Sequence, residues 1–237
     1  MYSFRHTHGP VDLAFTDRHG GVSGVPFDSL NLAIDGDDPE AARQENLRLL
    51  LADFAPQDAI ADLRQVHGSA VAMAGEEGSR PEADAIVTDR PGVTLLVRAA
   101  DCVPLLLADD AARVIGAAHC GRPGLAAGVV PAVVARMRDL GADAITAWLG
   151  PHVCGSCYEV PAAMQADVGA VVPAAVTTTS WGTPSLDLGA GVRAQLEAAG
   201  VTMVDASRCT RESIDLYSYR RDGPRAGRQA GLVRMGG

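Results

Sequence analysis

The sequence predicts an α+β fold: a single mixed α/β domain over residues 1–237, with a largely antiparallel sheet and flanking helices. Three observations carry that prediction. Apolar runs of strand length, DAIVTD, VTLLVRA, VPLLLAD and VIGAAHC, recur through the middle of the chain. The turn DDAAR at 109–113 is short enough to join the last two as an antiparallel hairpin. Segments with apolar residues at helical spacing surround these runs, and no linker poor in hydrophobic residues divides them.

Taken in order, residues 11–16 (VDLAFT) read as a first strand. The polar, Gly-rich stretch DRHGGVSGVPFDSLNLAIDGDD follows. Connections longer than about 12–15 residues in compact domains are usually functional or disordered. Asp38-Pro39 opens a helix to about Asp53, with Asp at the N-cap and Pro at the first helical position. LRQVHG and VAMA are expected as strands, separated from DAIVTD by a Gly/Glu break at 75–82. A helix is expected over 124–140, begun or bent at Pro131. AITAWLG reads as a strand, 161–170 and 187–199 as helices, and VTMVDAS and IDLYSYR as strands closing the sheet.

Composition narrows the function. At 47% hydrophobic residues the chain can bury a large core, but with 4% aromatics Ala, Val and Leu must fill it. A net charge of -9, without a large basic cluster, makes nucleic acid a poor partner, since Lys and Arg drive phosphate-backbone binding. The N-terminal MYSFRHTHGPVDLAF lacks the apolar stretch of a signal peptide, and no run reaches membrane-spanning length. Five cysteines (102, 120, 154, 157 and 209), an odd number without an export signal, argue against a disulfide framework. The expected setting is cytoplasmic, with reduced thiols and a small-molecule substrate.

The chemistry concentrates in two apolar segments. AADCVPLLLAD presents Cys102, VIGAAHCG presents His119, and RQVHG upstream presents His67. Two histidines and a cysteinate leave tetrahedral Zn²⁺ one open position, the mark of a catalytic rather than a structural site. The same residues also fit a metal-free hydrolase with Cys102 as nucleophile and His119 as base, and a free Cys is often simply a buried hydrophobe. Asp101, beside Cys102, is placed either to orient a ligating imidazole or to cap a strand. Loop 17–31 offers backbone N–H groups with Arg18, Ser23 and Asn31, a nest suited to an anion, and is expected to fold over the metal pocket; an ordinary turn cluster is the alternative. Asn46 and Arg48 fall on the next helix, where a solvated face is the default. Cys154-Gly-Ser-Cys157 lacks a second ligand pair, so Cys154, Cys157 and Cys209 are expected to be neither ligands nor catalytic. His6 and His8 form an HxH near a terminus and are read as incidental.

Together, FTDRHGGVSGVPFDSLNLAIDGDD, RQVHG, ADAIVTDRPGVTLLVRAADCVPLLLAD, AAHCG, LGPHVCGSCYEV and RCTRESIDLYSYRRDGPRAGRQAGLV resemble the YfiH-like family. It is also called the multicopper polyphenol oxidase or laccase-domain family, and it includes a purine nucleoside phosphorylase type and the peptidoglycan editing factor. The resemblance implies a fold related to toxin-type cysteine hydrolases and a zinc held by His67, Cys102 and His119. It implies phosphorolysis of adenosine, inosine and methylthioadenosine, and deamination of adenosine. Asn46, Gln65 and Asp101 are the candidates for proton transfer or orientation beside Cys102. Where the family usually reads His-Ala-Gly-Trp-Arg-Gly, this chain has His119-Cys120-Gly121-Arg122-Pro123-Gly124, a departure that bears on substrate range. A copper-dependent oxidase would need a His-rich trinuclear cluster, which six histidines do not readily build, although Cu²⁺ could bind a His₂Cys site opportunistically. The remaining alternatives are a Cys102–His119 amidase editing a peptidoglycan precursor and a non-catalytic zinc-stabilised protein.

Overall fold

The apolar runs pair into two stacked sheets rather than one. The computed structural model describes residues 1–75 and 79–236. Its strands are β1 (Tyr2–His8), β2 (Val11–Thr16), β3 (Ala59–Ala61), β4 (Val71–Met73), β5 (Ala85–Thr88), β6 (Val93–Ala99) and β7 (Val103–Asp109). They continue as β8 (Val114–Cys120), β9 (Thr146–Leu149), β10 (Val176–Thr178), β11 (Pro184–Leu186), β12 (Thr202–Asp205) and β13 (Gln229–Met235). The helices are α1 (Glu40–Phe54), α2 (Arg122–Ala126), α3 (Val129–Asp139), α4 (Ala162–Gly169), α5 (Leu188–Ala198) and α6 (Tyr219–Asp222).

One sheet runs β1-β2-β13-β6-β3 and the other β12-β9-β7-β8-β5-β4, with β10 and β11 as a small separate pair. Most pairings are antiparallel, including the expected β7–β8 hairpin, in which Leu105 faces Ala118. The parallel pairs are β3–β6, β4–β5 and β9–β12.

Side-chain alternation explains why the central strands are apolar throughout. Successive residues of a strand point to opposite faces. On β7, Leu106 enters a core with Phe15, Leu95, Val97, Ile86 and Trp148, between the two sheets. Its neighbours Leu105 and Leu107 turn the other way, onto Val130, Val133, Val134 and Met137 of α3 and Leu196 of α5. On β6, Leu96 packs with Leu50 and Phe54 of α1 while Leu95 and Val97 face the other sheet. The layers are helix, sheet, sheet, helix. Central strands are therefore buried on both faces, the situation that produces continuous rather than alternating apolar runs. Gly116 of β8 lets α3 sit close, since a Cβ there would come 3.0 Å from Sδ of Met137.

Several local expectations are corrected. IDLYSYR is not a strand: Leu216 and Tyr217 are buried, but the backbone bends there and enters α6. LRQVHG is a loop with one isolated bridge, Arg64 to Glu82. Strands β1 and β13 were not anticipated. The helix expected over 124–140 is two, separated at Gly128, whose φ of 83° breaks the first. Pro131 sits in the first turn of α3, where its missing N–H costs nothing. Pro39 rather than Asp38 is the N-cap of α1, and the Asp38 carboxylate instead accepts from Ser23 Oγ (2.6 Å) and Asn31 Nδ2 (2.9 Å). Of the break expected at 75–82, residues 76–78 lie outside the described residues. Among the described residues no helix is long and apolar enough to cross a membrane.

Candidate metal centre and its cleft

Cys102 precedes β7, His119 lies near the end of β8, and the hairpin register brings those ends together: His119 is paired with Pro104. His67 arrives from the loop before β4. Its position is set by Asp84, a carboxylate at the head of β5. Asp84 accepts from the amides of Val66 (3.1 Å), His67 (3.0 Å) and Gly68 (2.6 Å), so the loop wraps one buried anion. The wrap requires a positive φ at His67 (60°), a conformation that costs a non-glycine residue of the order of 1 kcal/mol. Asp101, one residue before Cys102, also has a positive φ (87°). Such conformations persist where the surroundings over-determine them.

One ligand atom each from His67, Cys102 and His119 lies within 4.8 Å of the others. The two imidazoles meet edge to face, with centroids 4.8 Å apart at 82°. His119 Nδ1 is 2.8 Å from Asp84 Oδ1, so Nδ1–H donates to the carboxylate and Nε2 is left for the cluster. A Cβ at Gly121 would stand 2.8 Å from His67 Cδ2 and 3.2 Å from Cys102 Sγ, within the space the three side chains share. This donor set, with its tautomer fixed and its centre kept clear by glycine, fits a tetrahedral metal. Asp84, not Asp101, orients the imidazole. Its signal in the sequence was an acid at the head of the apolar run AIVT.

The electrostatics agree. Burial alone would push the Cys102 thiol up, but the charges and hydrogen bonds of His119 and His67 outweigh it and hold the thiol at about 6. Burial would likewise lower His119, yet the Cys102 thiolate and the Asp84 carboxylate raise it to about 9. Burial raises the neighbouring Cys120 thiol, which stays protonated.

The three residues open into a cleft of about 1030 Å³. Arg64, Arg80, Arg98, Arg220 and Arg228 line it, with Phe27, Tyr158 and Tyr219. Arg98 is buried, donates to Leu32 O (2.6 Å) and pairs with Asp62 (2.8 Å), while its Nη1 has no hydrogen-bond partner. Arg220 stacks over the Tyr158 ring at 4.4 Å. None of these residues was singled out from sequence, because single arginines scattered over the chain carry no spacing signal.

The family described as multi-copper polyphenol oxidoreductase laccase matches the chain over residues 12–236. The chain belongs to this family. It is 51% identical over 241 residues to a purine nucleoside phosphorylase of Streptomyces coelicolor, covering 98% of this chain and 99% of that one. It is 44% identical to a purine nucleoside phosphorylase of Corynebacterium glutamicum, covering 98% of each. Among solved structures, a Neisseria meningitidis protein superposes with a TM-score of 0.89 at 31% identity over 99% of both chains. YlmD from Geobacillus stearothermophilus superposes with a TM-score of 0.87 at 29% identity, covering 97% of this chain and 93% of that one.

Within this laccase-family chain the other expected site residues separate. Asn31 lines the cleft, with Nδ2 on Asp38 and Oδ1 accepting from Ala33 N and Arg228 N. Gln65 also lines it, but both ends of its amide are spent on the Arg98 backbone (2.7 and 2.8 Å). Arg18 and Ser23 do not line it. Arg18 donates to Asp28 O (2.6 Å) and stacks on Tyr217, and Ser23 bonds Asp38 and Asn46. Loop 17–31 reaches the cleft instead through Phe27 and Asn31. Asn46 is fully buried, against the solvated-face expectation, and pins Val22 N, Ser23 Oγ and Asn31 O. Asp101 lines the cleft, but its carboxylate is held by Thr210 Oγ1 and Arg220 N, both at 2.6 Å. The departing residues Arg122 and Pro123 begin α2 and are not among the cleft's lining residues. Finally, the CxxC does have company: Cys154, Cys157, Cys209 and Glu212 offer ligand atoms within 4.8 Å of one another. The expectation that no second ligand cluster exists is corrected.

Proposed function

We propose that the chain is a zinc-dependent purine nucleoside phosphorylase acting on adenosine, inosine and methylthioadenosine, with slower deamination of adenosine. One observation carries the reading: His67, Cys102 and His119 converge in the wall of an arginine-rich cleft large enough for a nucleoside and phosphate. The relatives named purine nucleoside phosphorylase supply the substrate class. When bound, Zn²⁺ supplies a Lewis acid with one open position.

The chain's own residues do the rest. Asp84 fixes the His119 tautomer and the His67 loop, so the ligand geometry is set before substrate arrives. Arg98, which lines the cleft and has a buried Nη1 without a partner, and Arg228 are the donors for phosphate, as a guanidinium offers paired N–H groups to an oxyanion. Phe27, Tyr158 and Tyr219 offer rings against which a purine can stack. Asn46, Ser23 and Arg18 hold the loop that carries Phe27 and Asn31 and act as positioning residues. Gln65 ties the His67 loop to β6 through the Arg98 backbone, and Asp101 shapes the turn that presents Cys102. The cytoplasm is the compartment consistent with reduced thiols.

A second reading is favoured by the pairing of a Cys102 thiolate with a protonated His119, the arrangement of a cysteine hydrolase. A copper polyphenol oxidase is disfavoured by the donors: His6, His8, His19 and His152 join no second histidine cluster of metal-ligand size among the described residues. Phosphate-dependent release of free base from adenosine and inosine, abolished by a chelator and restored by Zn²⁺, is the expected result. Amidase activity that a chelator leaves untouched would select the second reading, and restoration by Cu²⁺ alone with oxidation of phenols would select the third.

A further inference from the structure

We propose that Cys154, Cys157, Cys209 and Glu212 form a second metal site, a structural tetrahedral Zn²⁺ site that staples two loops. The proposal begins in the sequence spacing. Cys154-x-x-Cys157 and Cys209-x-x-Glu212 are two half-sites with the same i, i+3 interval, the paired pattern by which two short turns clasp one zinc. The fold joins them. His152 and Cys209 form a parallel bridge, with His152 N donating to Arg208 O (3.1 Å) and Thr210 N to His152 O (3.0 Å).

Each half-site is a tight turn. Cys157 N and Tyr158 N both donate to Cys154 O (2.9 and 3.1 Å), and Ser213 N donates to Cys209 O (3.0 Å). Gly155 allows the first turn to lie against its support: a Cβ there would come 2.8 Å from Asp187 Cβ and 2.9 Å from Thr177 Cγ2. All four ligand atoms lie within 4.8 Å of one another. Ligands around tetrahedral Zn²⁺ at about 2.3 Å are about 3.7 Å apart, so the set closes onto a cation by small side-chain rotations. Cys157 Sγ is already 3.5 Å from Glu212 Oε1. Cys154 N donates to Cys209 Sγ at 3.5 Å, a contact that favours thiolate at a ligand position.

Three thiolates and a carboxylate carry one negative charge more than a four-coordinate site with one neutral imidazole. Arg211, beside Cys157 and over the Trp181 ring at 5.0 Å, offsets it. A disulfide would use two sulfurs and leave the third thiol and Glu212 without a role, whereas one cation engages all four. None of the four lines the cleft, and four protein ligands leave no open position, so the site is structural.

The staple bears on the first site through Asp101. Thr210, next to Cys209, donates to the Asp101 carboxylate (2.6 Å), and Val153, next to Cys154, donates to Asp101 O (3.0 Å). Both stapled loops therefore hold the residue that precedes Cys102.

The test is metal content of the full chain purified under reductant, with His67→Ala measured in parallel so that the two sites are read separately. Wild type is expected to hold two equivalents of Zn²⁺ per chain, and Cys157→Ser and Cys209→Ser one. Replacement by Co²⁺ should give strong thiolate charge-transfer absorption that Cys157→Ser weakens and His67→Ala leaves largely intact. Glu212→Gln, a change that keeps the size of the side chain, should release one equivalent to a chelator faster, so the proposal is tested even if the cysteine variants fold poorly. An unchanged zinc content in Cys157→Ser, or a wild-type rate of zinc release to the chelator in Glu212→Gln, overturns the proposal. So does a thiol titration of the unfolded wild type that finds three thiols instead of five, since that identifies a disulfide. Loss of the His67 equivalent without loss of this one, or the reverse, distinguishes failure of the catalytic reading from failure of this one.

Discussion

Asp84 holds His119 twice: its carboxylate lies 2.8 Å from the imidazole Nδ1, and its backbone carbonyl accepts from the His119 amide at 2.7 Å. The same carboxylate gathers three amides of the His67 loop, so one buried acid sets two of the three candidate ligands. Asp84→Asn keeps the shape but loses the charge and leaves a side-chain amide N–H₂ facing donors. We expect metal affinity to fall about 10- to 100-fold, the usual cost of losing an outer-shell carboxylate, as read by competition with a chelator. Retention of wild-type affinity would show that Asp84 is only a fold element.

Cys102→Ala removes the one sulfur of the cluster. Zinc bound at the first site and phosphorolysis should both be lost, with the far-UV spectrum unchanged. A variant that loses metal but keeps full phosphorolysis would refute the zinc reading.

The metal-free protein should carry a Cys102 thiolate facing a protonated His119 between about pH 6 and about pH 9. The sign follows from the partners. The thiol lies below its ordinary range, so its anion is lost as pH falls through about 6; the imidazole lies above its range, so its cation is lost as pH rises through about 9. Thiolate absorbance followed against pH checks the lower limb. In His119→Asn the opposing burial wins and the transition should move to higher pH. Zinc binding at pH 7.5 should displace the His119 proton, seen as a calorimetric enthalpy that depends on the buffer, and zinc affinity should decline below about pH 6.

Gly121→Ala places a methyl group 2.8 Å from His67 Cδ2 and 3.2 Å from Cys102 Sγ. Its φ of -77° suits any residue, so the effect is steric and local. We expect a folded protein with weakened first-site zinc and greatly reduced turnover; normal zinc content and turnover would mean that the cluster is looser than the geometry indicates.

Arg98→Lys keeps a cation for Asp62 but loses the planar fork at the cleft. The expected signature is a KM for phosphate raised roughly tenfold or more, with the KM for nucleoside little changed, since each lost charge-assisted hydrogen bond is worth about 1.5–3 kcal/mol. An equal rise in both would place Arg98 in general cleft architecture.

The family, the central strands and the three side chains that gather at the first site were legible in the sequence because each is a local or motif property: VPLLLAD and VIGAAHC are strongly apolar, and RQVHG, ADC and AAHC carry the three side chains. The division into two sheets was not legible. A run buried on both faces looks the same whether its second face meets a helix or another sheet, and the alternation of Leu105 and Leu106 between two cores appears only in space. IDLYSYR misled for a related reason: Leu216 and Tyr217 are buried as a strand would be, but by a bend whose polar groups are satisfied by Arg221, Gln229 and Phe27.

By itself the sequence determined what depends on residue type and motif: the two histidines and the cysteine as candidate donors, the family resemblance and the acidic charge balance. Only the tertiary structure decided what those donors meet. Asp84 lies 35 residues before His119, Arg98 and Arg220 are far apart in the chain, and Cys209 with Glu212 reaches Cys154 across 55 residues. Contacts at such separations are set by strand pairing and packing, which a linear pattern does not encode. That is why the carboxylate that orients the imidazole, the arginines of the cleft and the second half of the cysteine cluster emerged only when the chain was folded.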